Sequence, residues 1–297
     1  MFKIIDSYDK KFLEYGRINP VFSKKIEKLL IDVVNNKFDA DFRDLNYQMM
    51  DKNFTKDLLE KFKIDFIDKT RSSKLNNLKN LETYQYRDIC SGCTQFIDNL
   101  YLFNGVENLQ VLEGEYRYHS RLYPDIKAVS VGNLSDNKDL IISLPFVTGD
   151  KHPAMDKILM ECLNKNIKVH LDCAWISAAK NIEFDFAHPV IETIGLSMSK
   201  GFGLGWNRIG IRLRKREIND SICIMNNHQM IPTMLICVAN YFLSNLEIDH
   251  LWNEHEYRYN KICKDFNLIP TSSIHAAFDD DCIVGTCELI RYLEYKD

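Results

Sequence analysis

The sequence lacks the features that mark nucleic-acid-binding, membrane and secreted proteins. It has no basic excess, since 38 Lys and Arg stand against 42 Asp and Glu and the formal net charge is −4. This balance gives no electrostatic footprint for nucleic acid or an anionic membrane surface. No apolar run approaches the ~20 residues of a membrane-spanning helix, and the opening MFKIIDSYDKKFLEY lacks the apolar core of a signal peptide. We therefore expect a cytoplasmic protein with no nucleic acid and no membrane partner.

Cysteine pairs with metal-binding spacing are also scarce. Nine cysteines are present, but only Cys90 and Cys93 form a C-x-x-C pair, and a structural zinc site of this kind needs a second pair. We expect no metal site. The other cysteines, such as Cys162 and Cys173, lie in apolar patterns and are expected to be buried thiols in a reducing compartment.

The hydrophobic pattern divides the 297 residues into three parts. Residues 1–87 are charged and helical in periodicity, as in VFSKKIEKLLIDVV and FTKDLLEKFKIDFIDKT. Residues 88–215 alternate short apolar runs, such as LIISLPF and IKVHLDCAW, with helical stretches, which favours an α/β architecture with a largely parallel sheet. Residues 216–297 are helical at first, and the final IPTSSIHAAFDDDCIVGTCELIRYL predicts one or two strands of a small terminal lobe.

One lysine stands in an unusual setting, SMSKGFGLGWNRIGIRL. Lys200 follows an apolar run and precedes three glycines, where the backbone can turn freely and pack closely. A lysine that attacks a carbonyl must lose its proton, and a confined pocket lowers the pKa of an amine. Arg208 offers a planar fork for an oxyanion such as phosphate, and Ser197 and Ser199 add hydroxyl donors. The alternative is a surface lysine beside a flexible loop.

Three further segments carry groups that suit a phosphorylated aromatic ligand. Asp172 ends the apolar strand VHLDCAW, where a carboxylate is costly unless a cation compensates it. The turn at Gly92 in SGCTQF opens a helix whose N–H groups and dipole favour a phosphate. In GEYRYHSRL, Tyr116 can stack on a flat ring. Each segment also has an ordinary reading: a helix cap or loop residue, a simple helix start, and a core tyrosine.

Taken in order, these segments resemble the motifs of pyridoxal-phosphate enzymes of fold type I, the aspartate aminotransferase superfamily with its class I/II aminotransferases, in a shortened form. The resemblance covers about residues 88–215. It implies that 88–215 is a large domain that binds pyridoxal 5′-phosphate, with a mostly parallel mixed sheet flanked by helices. Residues 1–87 would then be an N-terminal helical segment, and residues 216–297 would form helices and a reduced C-terminal small lobe.

The resemblance also implies a role for each matching residue. Lys200 forms an imine with the cofactor aldehyde, and Asp172 holds the protonated pyridine nitrogen, which makes the ring an electron sink. Tyr116 stacks on the ring, His119 supports the aspartate, and Trp175 takes the family's aromatic position after the aspartate. The cofactor phosphate is held by residues of the glycine turn and the lysine loop: Cys93, Thr94, Ser197 and Arg208, with Gly92 and Gln95 completing the turn.

Two donors to the ring hydroxyl of the cofactor are missing from this pattern. If Gly149 matches the family glycine, Phe146 occupies the position of an Asn, and Trp175 replaces a Tyr and has only an indole N–H. This loss should raise the pKa of the imine, because the missing bonds favour the charged ring oxygen. The arginine that binds the substrate carboxylate also lacks a counterpart, and the sequence does not choose between Arg17 and Arg291.

The resemblance predicts a pyridoxal-phosphate-dependent aminotransferase, in which Lys200 also moves a proton as general acid and base. Its substrates would be a small-molecule amino donor, such as an amino acid, amino sugar or amine, and an oxo-acid acceptor. Two alternatives remain: a lyase, decarboxylase or racemase that uses the same cofactor, and a shortened non-catalytic relative. A homodimer that uses the N-terminal helices is expected by analogy.

Overall fold

The computed structural model describes residues 8–16, 18–21, 23–35 and 52–297. Its α-helices are α1 Lys24–Val34, α2 Lys52–Arg71, α3 Gly92–Asn104, α4 Tyr118–Leu122, α5 Met155–Asn164, α6 Ser221–Asn227, α7 Thr233–Asn245, α8 His250–Phe266 and α9 Cys287–Lys296. Its strands are β1 Glu14–Tyr15, β2 Asn77–Lys79, β3 Tyr86–Cys90, β4 Leu109–Leu112, β5 Lys127–Val129, β6 Asp139–Ser143, β7 Val169–Cys173, β8 Glu183–Asp185, β9 Ile191–Ser197, β10 Gly210–Arg214, β11 Ile269–Pro270, β12 Ala276–Asp279 and β13 Cys282–Gly285.

A seven-stranded sheet forms the centre of the molecule, in the order β3-β10-β9-β7-β6-β4-β5. The strands from β9 to β5 pair in parallel, whereas β10 pairs antiparallel with both β9 and β3. All five residues of β7 are buried, as expected for a strand of a parallel sheet that is covered on both faces. The predicted α/β class with a mostly parallel mixed sheet is therefore confirmed.

Helix α3 crosses the sheet at close range, because a glycine on the neighbouring strand leaves room for it. A Cβ on Gly195 of β9 would lie 2.5 Å from Cδ1 of Phe96 on α3. Every larger residue at this position would push the helix away from the sheet. The first turn of α3 is thereby held over the ends of β9 and β10.

A buried cluster of charges joins α3 to the antiparallel edge of the sheet. The guanidinium of Arg212 on β10 donates to Asp88 Oδ2 on β3 at 2.8 Å, to Asp220 Oδ1 at 3.0 Å and to Asn99 Oδ1 on α3 at 2.8 Å. Arg212 is almost completely buried, so removal of one partner would leave an uncompensated charge in the interior. The cluster fixes where the glycine turn lies relative to the loop before β10.

A second sheet, β1-β13-β12-β11, connects the two ends of the described chain. Glu14 pairs with Gly285 and Tyr15 with Val284, so β1 adds a strand to a sheet whose other strands lie near the C-terminus. The sequence predicted one or two strands here, and the structure has three after residue 268. The division at residues 87 and 215 stays a prediction.

The predicted helices of the N-terminal part are present as α1 and α2. Ser23 caps α1 by accepting from Ile26 N at 3.2 Å. The Ile26 side chain reaches the lysine loop, where a Cβ on Gly203 would lie 2.6 Å from Ile26 Cγ2. In the described residues no helix is long and apolar enough to cross a membrane.

Candidate active site

A cavity of about 350 Å³ lies beyond the carboxyl ends of the parallel strands, where ligands bind in open α/β sheets. Of the residues to which the resemblance assigns a role towards the cofactor, eight contribute to its wall. They are Cys93, Thr94, Tyr116, Asp172, Trp175, Ser197, Lys200 and Arg208. The fold thus brings together residues that lie up to 115 positions apart, from Cys93 to Arg208. Their individual roles stay predictions.

One end of this cavity is built from hydrogen-bond donors around Gly92. A Cβ at Gly92 would lie 3.0 Å from Ser197 Oγ and 3.6 Å from both Ser199 Oγ and Arg208 Nη2. Gly92 has φ +73°, a conformation that favours glycine, and it begins α3 with no side-chain cap. Arg208 also donates to Thr94 Oγ1. Hydroxyls, a guanidinium and helix N–H groups together form a site for an oxyanion.

The two predicted serines are oriented by each other. Ser197 Oγ donates to Ser199 Oγ at 2.9 Å, and Ser199 N donates to Ser197 Oγ at 3.1 Å. Gln95 does not face this end with its amide oxygen, which instead accepts from Ser91 N at 2.6 Å. Gln95 therefore stabilises the turn before the helix.

Asp172 is a buried carboxylate without a cation in contact. It ends β7, its exposed fraction is 6%, and Oδ1 accepts from Ala174 N at 3.0 Å. Burial raises its pKa, while the Cys93 thiol, the Ala174 N–H and the charge of Lys200 act in the opposite direction. Among the described residues no Lys, Arg or His forms an ion pair with it.

Lys200 lies at the start of the glycine loop and faces the same cavity. Burial lowers the pKa of its amine, and the nearby charge of Arg208 adds to this effect, while Cys287, Asp172 and Glu14 oppose it. Its Nζ lies 5.7 Å from the centre of the Trp175 ring. Both the burial and the cationic neighbour favour the neutral amine that the sequence predicts.

The backbone next to Lys200 is fixed on two sides. Gly201 N donates to Ser177 Oγ at 3.2 Å, and Gly201 O lies 2.7 Å from His250 Nε2. A Cβ at Gly201 would lie 2.3 Å from the carbonyl oxygen of Ser177, so only glycine fits there. The amine is therefore presented from a rigid segment rather than from a flexible loop.

Tyr116 and His119 take different positions. Tyr116 is 46% exposed and lies on the cavity wall. His119 is buried away from the cavity, with Nδ1 2.8 Å from Tyr101 Oη, and burial lowers its pKa to about 4. In the described part of the chain its Nε2 has no hydrogen-bond partner. In the structure the His119 ring is directed towards Tyr101, and its predicted support of Asp172 stays a prediction.

Cys93 carries a thiol that is coupled to the carboxylate of Asp172. The predicted contact of Cys93 with the cofactor phosphate stays a prediction. Burial raises the pKa of this thiol well above its usual value, and Asp172 raises it further. Cys93 thus takes the place beside Asp172 that was expected for His119.

The two residues that depart from the family pattern, Phe146 and Trp175, both line the cavity. The Phe146 ring packs edge-on against His152 at 4.9 Å, and the turn after it is closed by a hydrogen bond from Gly149 N to Phe146 O at 2.8 Å. Trp175 packs edge-on against the buried His275 at 6.0 Å. This side of the cavity is aromatic where the family has an amide and a phenol.

Neither candidate for the substrate carboxylate is placed in the site by the described residues. Arg291 lies on α9, with its guanidinium 5.9 Å from the centre of the Tyr295 ring, and it does not contribute to the cavity wall. Arg17 lies outside the described residues. Its neighbours Gly16 and Ile18 do line the cavity, because β1 brings this segment to the site.

Glu115 is a buried acid near the site that sequence reasoning missed. It accepts from Tyr116 N at 2.8 Å, from Ser143 N at 2.9 Å and from Ser143 Oγ at 2.5 Å. Burial raises its pKa to about 7 in spite of these three donors. In the sequence, GEYRY looks like an exposed turn after a strand. Only the approach of β6 to this turn shows that the carboxyl is enclosed.

We expect the Glu115→Gln variant to lose less stability than the wild type as the pH rises. Below the ordinary glutamate pKa of 4.5 the carboxyl is protonated in both states, and between about pH 4.5 and 7 only the unfolded chain ionises. The free energy of unfolding of the wild type therefore falls through this window by up to ~3 kcal/mol. Urea unfolding at pH 5 and pH 8 measures the difference, with exposed Glu113→Gln as control. Equal pH slopes for the wild type and Glu115→Gln would contradict the raised pKa.

Comparison with known proteins gives matches at the level of structure only. No family model and no curated protein sequence matches the chain. A pyridoxal-phosphate-bound C-S lyase from Staphylococcus hominis superposes with a TM-score of 0.60 at 11% identity, covering 93% of this chain and 81% of the lyase.

Two aminotransferases give similar values. An aromatic aminotransferase from Pyrococcus horikoshii matches with a TM-score of 0.58 at 13% identity, covering 88% of this chain and 78% of that one. A mutant aspartate aminotransferase from Thermus thermophilus matches with a TM-score of 0.58 at 12% identity, covering 92% and 84%. The sheet order and these superpositions agree, and the chain has the fold of the type I pyridoxal-phosphate enzymes.

Proposed function

We propose that this protein is a pyridoxal-phosphate-dependent aminotransferase that acts on a small-molecule amino donor and an oxo-acid acceptor. One observation carries the proposal: a lysine with a lowered pKa and a buried, uncompensated aspartate face one cavity that ends in an oxyanion site. The fold supports the cofactor class, since structural neighbours include pyridoxal-phosphate enzymes of this type.

The donor-lined end of the cavity suits the phosphate group. Ser197, Ser199, Thr94 and Arg208 provide hydroxyls and a guanidinium around Gly92, and no acidic side chain lies among them. The first N–H groups of α3 add the positive end of the helix dipole. A dianion bound here would be compensated by groups that are already oriented.

The opposite carboxylate suits the ring nitrogen. Asp172 forms no ion pair with any residue that the structure describes, and a protonated pyridine nitrogen would compensate the charge that burial makes costly. Tyr116 presents a flat, half-exposed ring for stacking. When bound, pyridoxal phosphate supplies an aldehyde for the substrate amine and an electron sink for the adjacent carbon.

Lys200 would act through its Nζ atom, which takes a proton up and returns it. Burial lowers the pKa of this amine and so favours the neutral form that a general base requires. The bonds of Gly201 to Ser177 and His250 hold the amine in place. Phe146 and Trp175 line the wall, and their apolar rings would help to exclude water from the reacting atoms.

A lyase that uses the same cofactor is the second candidate. The aromatic pair Phe146 and Trp175 stands where the aminotransferase pattern has two hydrogen-bond donors, so the control of the ring hydroxyl differs from that pattern. A C-S lyase is among the structural neighbours at the same level of similarity as the aminotransferases. An experiment therefore has to distinguish transamination from lyase activity.

The first step of that experiment identifies the reactive lysine. We expect pyridoxal phosphate to give the purified protein a visible absorbance band, and borohydride to fix the cofactor on the peptide that contains Lys200, as read by mass spectrometry. The Lys200→Ala variant should lose the band, while Lys180→Ala, which changes a half-buried lysine outside the cavity, should keep it. A wild type that is not labelled at Lys200 would favour a non-catalytic relative.

The second step separates the two enzymes. The loaded protein is mixed with single amino donors, and the cofactor is released and identified. An aminotransferase converts the bound aldehyde into pyridoxamine phosphate in one half-reaction and regenerates it when an oxo acid is added. A lyase releases a fragment of the substrate and leaves the aldehyde form unchanged.

We further propose that the protein forms a homodimer whose interface lies beside the oxyanion site. Trp206 is 84% exposed, and it borders a groove with Arg208, Leu235 and Val238. Apolar side chains exposed along a groove are typical of an interaction surface. A second copy here would lie close to the phosphate end of the cavity.

Trp206→Ser is expected to shift the dimer towards monomer in light scattering, because it removes the largest exposed apolar group of this surface. Tyr257→Ser serves as a control, since Tyr257 is a comparably exposed aromatic residue on α8. If both variants keep the mass of the wild type, or the wild type is already monomeric, the groove is not the dimer interface.

A further inference from the structure

A buried carboxyl that the proposed function does not use lies directly behind the cavity wall. Glu115 follows β4 and is 8% exposed. Its Oε1 accepts from Tyr116 N at 2.8 Å and from Ser143 Oγ at 2.5 Å, and its Oε2 accepts from Ser143 N at 2.9 Å. Tyr116 and Ser143 both line the cavity, so the carboxyl is one hydrogen bond away from it.

Ser143 lies between this carboxyl and Asp172 in the sheet. Ser143 ends β6, and the parallel register pairs it with Asp172 at the end of β7. Paired residues on neighbouring strands point to the same face of a sheet, and both side chains line the cavity. The Ser143 hydroxyl thus contacts one buried acid and occupies the strand position next to the other.

The two acids act on each other through their charges. Burial raises the pKa of Glu115 to about 7, and the charge of Asp172 adds to this shift, while the three donors oppose it. Among the described residues no positive side chain acts on Glu115. Two carboxyls that share a buried region hold a proton to a higher pH than either would alone.

Other titratable groups around these acids keep one state between about pH 4.5 and 7. Burial raises the pKa of the Tyr101 and Tyr116 phenols and of the Cys93 thiol, so these groups stay protonated. His119, whose Nδ1 lies 2.8 Å from Tyr101 Oη, has its pKa lowered by burial to about 4 and stays neutral. The charge that changes near neutral pH in this region is therefore that of Glu115.

We propose that Glu115 is the proton donor that balances the charge at Asp172: it holds a proton until a cation binds beside Asp172, and it then releases this proton through the Ser143 hydroxyl into the cavity. The proposal rests on the proposed function, because the cation it requires is the ring nitrogen of pyridoxal phosphate. It adds to that function a group that supplies or withdraws one proton as the cofactor binds.

The step moves one proton and changes no other bond. The Glu115 carboxyl gives its proton to Ser143 Oγ across their 2.5 Å contact, and Ser143 Oγ gives up its own proton on the cavity side. The ring nitrogen or a water molecule takes that proton, and the Ser143 hydroxyl then donates to an ionised Glu115. A cation beside Asp172 favours this outcome, because it offsets the negative charge that the two carboxylates share.

The proton exchanged on cofactor binding tests the proposal. Pyridoxal phosphate is titrated into the protein by calorimetry at about pH 6.5, in two buffers of different ionisation enthalpy, which gives the number of protons released. The wild type should release about half a proton or more per site beyond Glu115→Gln. This difference holds whether the ring nitrogen or water takes the proton, because the variant draws it from solvent instead. Glu113→Gln, which changes an exposed carboxyl two positions away, should match the wild type.

Two variants of Ser143 distinguish a proton path from a structural role. Ser143→Ala removes a donor that lowers the pKa of Glu115, so proton release should move to higher pH and be smaller than in the wild type at about pH 6.5. Ser143→Thr keeps the hydroxyl and should keep the wild-type release. Equal proton numbers in the wild type and Glu115→Gln, or a loss in Ser143→Thr as large as in Ser143→Ala, would overturn the proposal.

A measurement without cofactor keeps this proposal separable from the function on which it rests. Urea unfolding at pH 5 and pH 8 gives the pH-dependent loss of stability that Glu115→Gln removes. This part should be smaller in an Asp172→Asn background, because the Glu115 carboxylate then faces no second negative charge. An equal part in both backgrounds overturns the coupling, whether or not pyridoxal phosphate binds. Borohydride labelling of Lys200 reports the proposed function by itself, so normal labelling with equal proton numbers refutes the role of Glu115 alone.

Discussion

The burial of Asp172 without a cation is the constraint around which this site is organised. A carboxylate in the interior is costly unless a positive charge or several donors compensate it. Asp172 has one backbone donor and a thiol beside it, and burial still raises its pKa. Such a group is incomplete until a cation enters the cavity. The proposed cofactor would bring that cation in its ring nitrogen, and compensation of the buried charge of Asp172 would then contribute to the free energy of cofactor binding.

The rest of the fold positions two groups around this carboxylate, the oxyanion end of the cavity and the amine of Lys200. The Arg212 cluster ties β3, β10 and α3 together, and Gly195 lets α3 lie close to the sheet. The oxyanion end is thereby set at a fixed distance from β7. Gly201, bound on both sides, fixes the amine of Lys200. The site is thus preorganised by backbone contacts, which reduces the cost of orienting groups during a reaction.

The site features that the sequence predicted are those that depend on residues close together in the chain. Lys200, Ser197 and Arg208 stand at fixed spacing within one loop, and Asp172 ends a strand whose pattern is plain, so the sequence indicated that they share a site. The direction of a side chain is set by tertiary contacts instead. His119 was expected at Asp172, but α4 turns it towards Tyr101, and the neighbouring position is taken by Cys93.

Site residues that belong to no motif could not be predicted from the sequence, because only tertiary contacts bring them to the site. Glu115 reads as one more charged residue after a strand, and only the approach of β6 shows that its carboxyl is buried. The sequence predicted too few strands for the C-terminal sheet, in which β13 pairs with β1 from the N-terminal part of the chain. Pairing between such distant segments leaves no periodic trace in either of them.

The Asp172→Asn substitution tests the central claim most directly, because the two quantities it changes should move in opposite directions. Asparagine keeps an acceptor for Ala174 N–H and removes the buried charge. The raised pKa of Asp172 means that its ionised form costs stability above the ordinary aspartate pKa of 3.8. At pH 7 the cofactor-free variant should therefore unfold at higher urea concentration than the wild type, while its affinity for pyridoxal phosphate falls by ~10-fold or more. A variant that is less stable without cofactor, or that binds pyridoxal phosphate as tightly as the wild type, would contradict the account.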